Sequence, residues 1–176
     1  PKPCSGEAAL NVQAAGLNFR DVLNILDLDP TRTVRPIGLE CASVAGSVGV
    51  CVSHICAGEA TYGMAAGCLA SIVQVDAQYQ VRMPPALSFE AAATLPILWC
   101  TTRLALAECM QLGAEQHILI HATTGGIGLV ALKFAHRIGA IVSGTVGRPS
   151  KVCCMRMFGI TDVASSRDAS TFASGS

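Results

Sequence analysis

The residues best suited to chemistry stand first around Thr123-Thr124-Gly125-Gly126-Ile127-Gly128. Glycines between a β-type run and a helical pattern let the chain turn sharply. They also expose a helix N-terminus, with its unpaired backbone N–H groups and partial positive charge. Such a terminus receives a pyrophosphate. The dinucleotide pattern has three glycines; here Thr123 takes the first place, Gly125 can let the backbone approach the phosphates, and Gly128 can let helix lie close on strand. An ordinary glycine turn of an α/β protein is the competing reading. A second group is Arg148 with Lys151. Sites that take NAD place an Asp or Glu at the end of the next strand, about 20 residues past the glycines, to bind the ribose hydroxyls. Between His117 and Thr161 there is no acidic residue at all, and the two cations follow instead. Arg grips a 2′-phosphate bidentately and Lys meets it as a point charge, so the sequence predicts NADPH rather than NADH. Two solvated loop cations are the alternative.

These residues need elements to position them. His117–Ala122 is a short apolar run rich in β-branched residues, long enough for a buried strand and too short for a helix. Behind the glycines, Ile127, Val130, Ala131, Phe134, Ala135 and Ile138 recur at helical spacing. Lys133 and Arg137 suit the negative end of that helix, and Gly139 stands as its stop. Ile141–Thr145 predicts a second buried strand, Ser150 to Phe158 a second helix before Gly159, and Thr161–Ser165 a third strand. Strand, helix, strand, helix, strand is half of a doubly wound parallel sheet.

Upstream the pattern changes. Pro1–Gly6 is a turn-rich lead-in and Ala8–Ala15 a strand. A short helical pattern follows at Val22, Leu23, Ile25 and Leu26, then a proline-bounded loop over Asp27–Pro36. From Gly38 to Val81, the β-type runs Cys41–Val44, Val48–Val52, Thr61-Tyr62 and Leu69–Val75 alternate with glycines, which suggests a compact antiparallel barrel or sandwich. Pro84-Pro85 ends that region, Ser88 is placed to cap a helix over Ala91–Ala93, and a helical run over Cys100–Leu112 stops at Gly113.

Composition narrows the function classes. The 176 residues carry a formal net charge of +0 and no basic run, so nothing points to a nucleic acid or an anionic membrane as partner. A hydrophobic content of 51% against 14% charge raises a membrane span. The most apolar run, Ala91–Cys100, is too short for one and carries Thr94 and Pro96. The excess points instead to heavily buried strands, or to surfaces covered by further sequence or a partner. None of the nine cysteines forms a CxxC pair, and adjacent Cys153-Cys154 suits neither a zinc tetrahedron nor an easy disulfide. Most of them read as small buried hydrophobes of a reducing, cytoplasmic compartment. No cysteine or carboxylate stands at ligand spacing from His54, His117, His121 or His136, so no metal is expected. Pro1 in first place and half a sheet suggest a piece of a longer protein, poorly soluble alone because of an unpaired edge and an uncovered apolar face.

Five stretches carry a family likeness: AAGLNFRDVL (14–23), GLECAS (38–43), ALSFEAAATLP (86–96), HILIHATTGGIG (117–128) and SSRD (165–168). In order and near-spacing the chain resembles the enoyl reductase domain of polyketide and fatty acid synthases. That domain lies in the zinc-free quinone oxidoreductase branch of the medium-chain dehydrogenase/reductase superfamily. The NFRD form is closer to the synthase reductases than to free-standing quinone reductases. The resemblance implies an α/β fold: a GroES-like β domain over residues 1–99, N-terminally incomplete, then the first half of an NADPH-binding Rossmann domain over residues 100–176.

The likeness also implies a chemistry, hydride delivery to the β-carbon of a carrier-bound α,β-unsaturated thioester. Asn18 and Asp21 would position substrate and nicotinamide, a loop Asn holding a turn being the plainer role for Asn18. Thr123, Thr124, Gly125, Gly126, Ile127 and Gly128 would meet the pyrophosphate, and Lys151 falls where the family keeps its phosphate-binding lysine. Implied partners are an acyl carrier, neighbouring synthase domains and a second copy in the intact protein. Where the family carries a proton-donating tyrosine, this chain reads Thr101-Thr102-Arg103-Leu104-Ala105-Leu106. A guanidinium is no acid at neutral pH, so no proton donor is assigned. Cys51 and Ser43 replace usual glycines and Glu59 a usual aspartate, with backbone strain expected if those turns need positive φ. A free-standing quinone or enone reductase and a non-catalytic remnant are the rival readings.

Overall fold

In the computed structural model, residues 2–28 and 35–167 are described; the Asp27–Pro36 loop lies partly outside them, as do Pro1 and Asp168. The chain divides between Ile97 and Leu98 into two units.

The first unit is built on β1 (Glu7–Gly16) and β2 (Glu40–Val48). They are the second and third strands of a five-stranded antiparallel sheet, ordered β4-β1-β2-β3-β5, with β3 at Ala60–Met64, β4 at Ile72–Asp76 and β5 at Gln80–Arg82. β2 is also packed on both of its faces, which explains why it runs through small side chains. Cys41 and Ala45 join Leu10, Ile55 and Cys68 on one side, and Ala42 meets Ala92 and Ala93 on the other. Those alanines belong to α2 (Phe89–Ala93), which Ser88 caps by accepting the Ala91 N–H at 3.2 Å. α1 (Phe19–Ile25) follows β1 directly.

Three expectations are corrected here. Val48–Val52 is no strand beyond Val48: a Cβ on Gly49 would lie 1.9 Å from Cys4 O, and Gly49 and Cys51 donate to Glu7 O and Ser5 O, which turns the chain away. Val50, read as strand interior, is 93% exposed. The Leu69–Val75 run starts its strand only at Ile72. The feared strain at Cys51 and Ser43 does not arise, because neither has positive φ; the Ser43 hydroxyl pairs with Thr61 Oγ1 at 2.9 Å in the buried sheet.

The second unit carries β6 (His117–Ile120), α4 (Gly126–Ile138), β7 (Ile141–Val146), α5 (Ser150–Met157) and β8 (Val163–Ser165). The strands pair in parallel in the order β6-β7-β8, so each helix is a crossover. Gly139 ends α4 at φ 79, a left-handed position that glycine takes without cost. The core gathers Ile118 and Ile120 of β6, Leu132 and Ala135 of α4, Val142 of β7 and Met155 of α5. β6 is buried on one face only, since Leu119 stays 42% exposed, which corrects the fully buried strand read from its apolar run. The helix expected over Cys100–Leu112 is also different. α3 begins earlier, at Pro96, and ends at Arg103; Leu104–Cys109 continues as a wide turn in which Met110 N–H reaches Ala105 O at 3.0 Å. Among the described residues no helix is long and apolar enough to cross a membrane.

Candidate cofactor and substrate sites

The turn between β6 and α4 is fixed from its inner side. Thr123 is fully buried; its N–H donates to Thr145 O at 3.0 Å and its hydroxyl to Ile120 O at 2.7 Å. Thr145 Oγ1 in turn accepts the Ala122 N–H at 3.2 Å, holding Ala122 at φ 49. The side chain of Thr123 therefore faces the sheet and secures the turn, while the backbone beyond it is the part that can meet a ligand. A Cβ on Gly128 would stand 2.6 Å from Thr123 O and 2.7 Å from Ala122 O, so only glycine lets α4 lie this close to the strand end.

Gly125 occupies the N-cap of α4 and bonds back to Ala122 O at 2.7 Å. Leu129 is the first residue to donate to that cap, to Gly125 O at 2.9 Å. Helix geometry then leaves the N–H groups of Gly126, Ile127 and Gly128 without a backbone acceptor. Leu98 lies against Gly126, with carbons 3.2 Å from where its Cβ would be, and gives that corner of the turn an apolar neighbour.

Because β6 and β7 run parallel, the loop after β7 leaves from the same carboxyl edge as the glycine turn. Arg148 stands in that loop and Lys151 in the first turn of α5, with Lys151 N–H donating to Arg148 O at 3.0 Å. Both are exposed, and among the described residues neither is in an ion pair.

Asn18 and Asp21 lie in the first unit and are tied together. Asp21 is 3% exposed, and each carboxylate oxygen accepts a backbone N–H at 2.9 Å, from Asn18 and from Gly38. That is a capping and loop-holding role, with no lone reactive group left over. Asn18 donates through Nδ2 to Glu40 Oε1 at 2.8 Å, and Glu40 Oε2 accepts the Ile97 N–H at 2.8 Å. Glu40, 3% exposed, is the residue that sequence reasoning missed. Its signal was a lone acid entering an otherwise apolar strand. Gly16 makes room for it, since a Cβ there would fall 2.6 Å from Glu40 Cγ. One N–H of the Asn18 amide remains outside this lock. Exposed Leu17 and Phe19 flank Asn18. Arg103 pairs with Glu108 at 3.3 Å on the exterior.

No family model matches the chain. It is 37% identical over 92% of its length to the spectinabilin polyketide synthase system protein NorB of Streptomyces orinoci, of which it covers 7%. Among solved structures, it matches the CurK enoyl reductase with a TM-score of 0.88 and 33% identity, over 96% of this chain and 54% of that one. The Escherichia coli quinone oxidoreductase, solved in complex with NADPH, matches with a TM-score of 0.82 and 31% identity, over 96% of this chain and 52% of that one. The chain thus spans about half the length of the reductases it matches. It belongs to the medium-chain dehydrogenase/reductase superfamily, in the branch that holds the enoyl reductases of polyketide synthases and the quinone oxidoreductases.

Proposed function

We propose that this chain is part of an NADPH-dependent enoyl reductase acting on a carrier-bound α,β-unsaturated thioester within a polyketide synthase. The observation that carries the reading is the row of backbone donors at Gly126, Ile127 and Gly128 on the sheet edge that also presents Arg148 and Lys151, neither in an ion pair among the described residues. The residues fit the group. A dinucleotide needs N–H donors for its pyrophosphate, and an acid-free second strand end with two cations favours a 2′-phosphate over bare ribose hydroxyls. Bound NADPH would supply the hydride for the substrate's β-carbon, the electron pair of the C=C bond passing toward the thioester oxygen before the α-carbon takes a proton.

The chain's own contribution is binding and orientation. The first turn of α4 would hold the phosphates through backbone amides, with no side-chain entropy to lose. Arg148 and Lys151 would select the phosphorylated ribose. Asn18, its amide pinned by Glu40, would present its remaining N–H to the substrate, and Leu17 with Phe19 would offer apolar surface to the acyl chain. Asp21 would act through the loop it holds, as a positioning residue.

The likeness to a quinone oxidoreductase favours a second reading, a free-standing reductase of quinones or enones. Turnover separates the two. In the full-length protein, a crotonyl group on an acyl carrier is expected to be reduced faster than a free benzoquinone at equal concentration. Equal or faster quinone reduction contradicts the synthase reading.

A further inference from the structure

Of the nine cysteines, only Cys41 and Cys68 are buried, against the expectation that most would be. Both are 0% exposed in the same core cluster, Cys41 on β2 and Cys68 in the segment that follows β3. That segment runs beside the residues leading into β2: Ala65, Gly67 and Leu69 donate to Leu39 O, Gly38 O and Ile37 O at 2.8, 2.9 and 3.2 Å. Cys68 Sγ thereby comes within 3.1 Å of Glu40 O, an atom of the peptide group that joins Glu40 to Cys41. The two thiols are hydrogen-bonded neighbours, and the bond makes them unequal. Its hydrogen bond with Cys68, together with burial, pushes the Cys41 thiol up, while the same bond from Cys41 pulls Cys68 below the ordinary thiol range against its burial. Cys68 lies only just beneath the surface, since its chain neighbours Leu69 and Ala70 are exposed. Among the described residues no group of three or more His, Cys, Asp or Glu gathers that could hold a metal, so the pair belongs to no such site.

We propose that Cys41 and Cys68 are a redox-active pair, closed to a disulfide by a peroxide and reopened by a dithiol. The pair lies within the first unit and does not depend on the nucleotide reading. Cys68, the more readily ionised sulfur, attacks one peroxide oxygen. The O–O bond breaks, the other oxygen leaves as water with the thiol's proton, and Cys68 becomes a sulfenic acid. The Cys41 sulfur then attacks Cys68: the S–S bond forms, the S–O bond breaks, and the hydroxyl leaves with the Cys41 proton as a second water. The two thiols lose a pair of electrons and a pair of protons, and hydrogen peroxide is reduced to water. A dithiol reverses the step through a mixed disulfide and is itself oxidised. The bridge ties the segment after β3 to β2 at the residue following Glu40, and it removes the Cys68 donor from Glu40 O. A reversible clamp thus lies beside the residue whose carboxylate holds Asn18.

Peptide mapping of the full-length protein supplies the test. Thiols open to solvent are first alkylated briefly with iodoacetamide in the native state. The protein is then treated with hydrogen peroxide and denatured, and its remaining thiols are labelled with N-ethylmaleimide. Without peroxide, Cys41 and Cys68 should both carry the maleimide. After peroxide both should lose it together and appear in a linked peptide pair, lighter by two hydrogens than its separate parts. Dithiothreitol should return both labels. In Cys68→Ala, Cys41 should keep its maleimide through the same treatment, having no partner to bridge. If both thiols stay free after peroxide, or Cys68 ends as a sulfinic acid with Cys41 still free, the pair does not close and the inference falls. Loss of the Cys41 label in Cys68→Ala to the same extent as in wild type would overturn it as well. Should that variant fail to fold, the wild-type map decides alone.

Discussion

Glu40 is the residue on which the geometry around Asn18 turns. One carboxylate oxygen holds the Asn18 amide and the other the Ile97 N–H. Truncating it leaves two donors without acceptors in a closed space and removes packed volume, so Glu40→Ala should destabilise the first unit by about 3 kcal/mol in urea unfolding. Glu40→Gln keeps the shape but turns an NH2 toward a donor, and should cost about 1–2 kcal/mol. A glutamine variant as stable as wild type would show that the charge and its two acceptors do not hold this loop. None of this was legible in advance, since the partners lie 22 and 57 positions away in sequence. Asn18 and Asp21 were legible only as a motif. That Asp21 spends both oxygens on backbone N–H groups required coordinates.

At the scale of elements, the strand, glycine turn and helix from His117 to Gly139 could be read directly, because each signal there is local. A β-branched run makes the strand, glycines the turn, helical spacing the next element, and Gly139 the left-handed stop. Ser88 before its short helix was equally local. Errors came where a distant segment decides. Val50 has strand propensity, yet the close approach of Cys4 to Gly49 turns the chain into solvent. The wide turn at Leu104–Cys109 has no composition signal that separates it from a regular helix. The close packing of α4 gives a sharp prediction at this scale. Gly128→Ala forces a methyl to 2.6 Å from Thr123 O, against backbone that cannot swing aside. It should lower stability by about 1–3 kcal/mol and weaken NADPH binding, because the first turn of α4 must lift off the strand end. An alanine variant with unchanged melting and affinity would mean the turn has slack that this packing denies it.

For the whole molecule, composition foreshadowed its exposed apolar surface more than any single motif did. β6 has a partner on one side only among the described residues, and Leu119 and Ile141 on the same small sheet are 42% and 48% exposed. Paired with the outward Leu17, Phe19, Leu26 and Leu28 of the first unit, this predicts that the 176-residue chain expressed by itself self-associates. Light scattering should show particles larger than a monomer at micromolar concentration, and a monodisperse monomer would contradict it. The fold class and the two-part organisation follow from periodicity that changes along the chain. The proposed choice of a phosphorylated cofactor rests on an absence, the lack of any acid between His117 and Thr161, which folding does not disguise.

That choice is also the most exposed part of the account. The direct measurement is a fluorescence titration of NADPH and NADH into wild type and into Arg148→Ala/Lys151→Ala. Wild type should bind NADPH at least about tenfold more tightly than NADH, and the double variant should lose that preference with NADH affinity unchanged. A wild type that binds neither nucleotide, or a double variant that keeps its preference for NADPH, would contradict the reading of this sheet edge as a cradle for a phosphorylated dinucleotide.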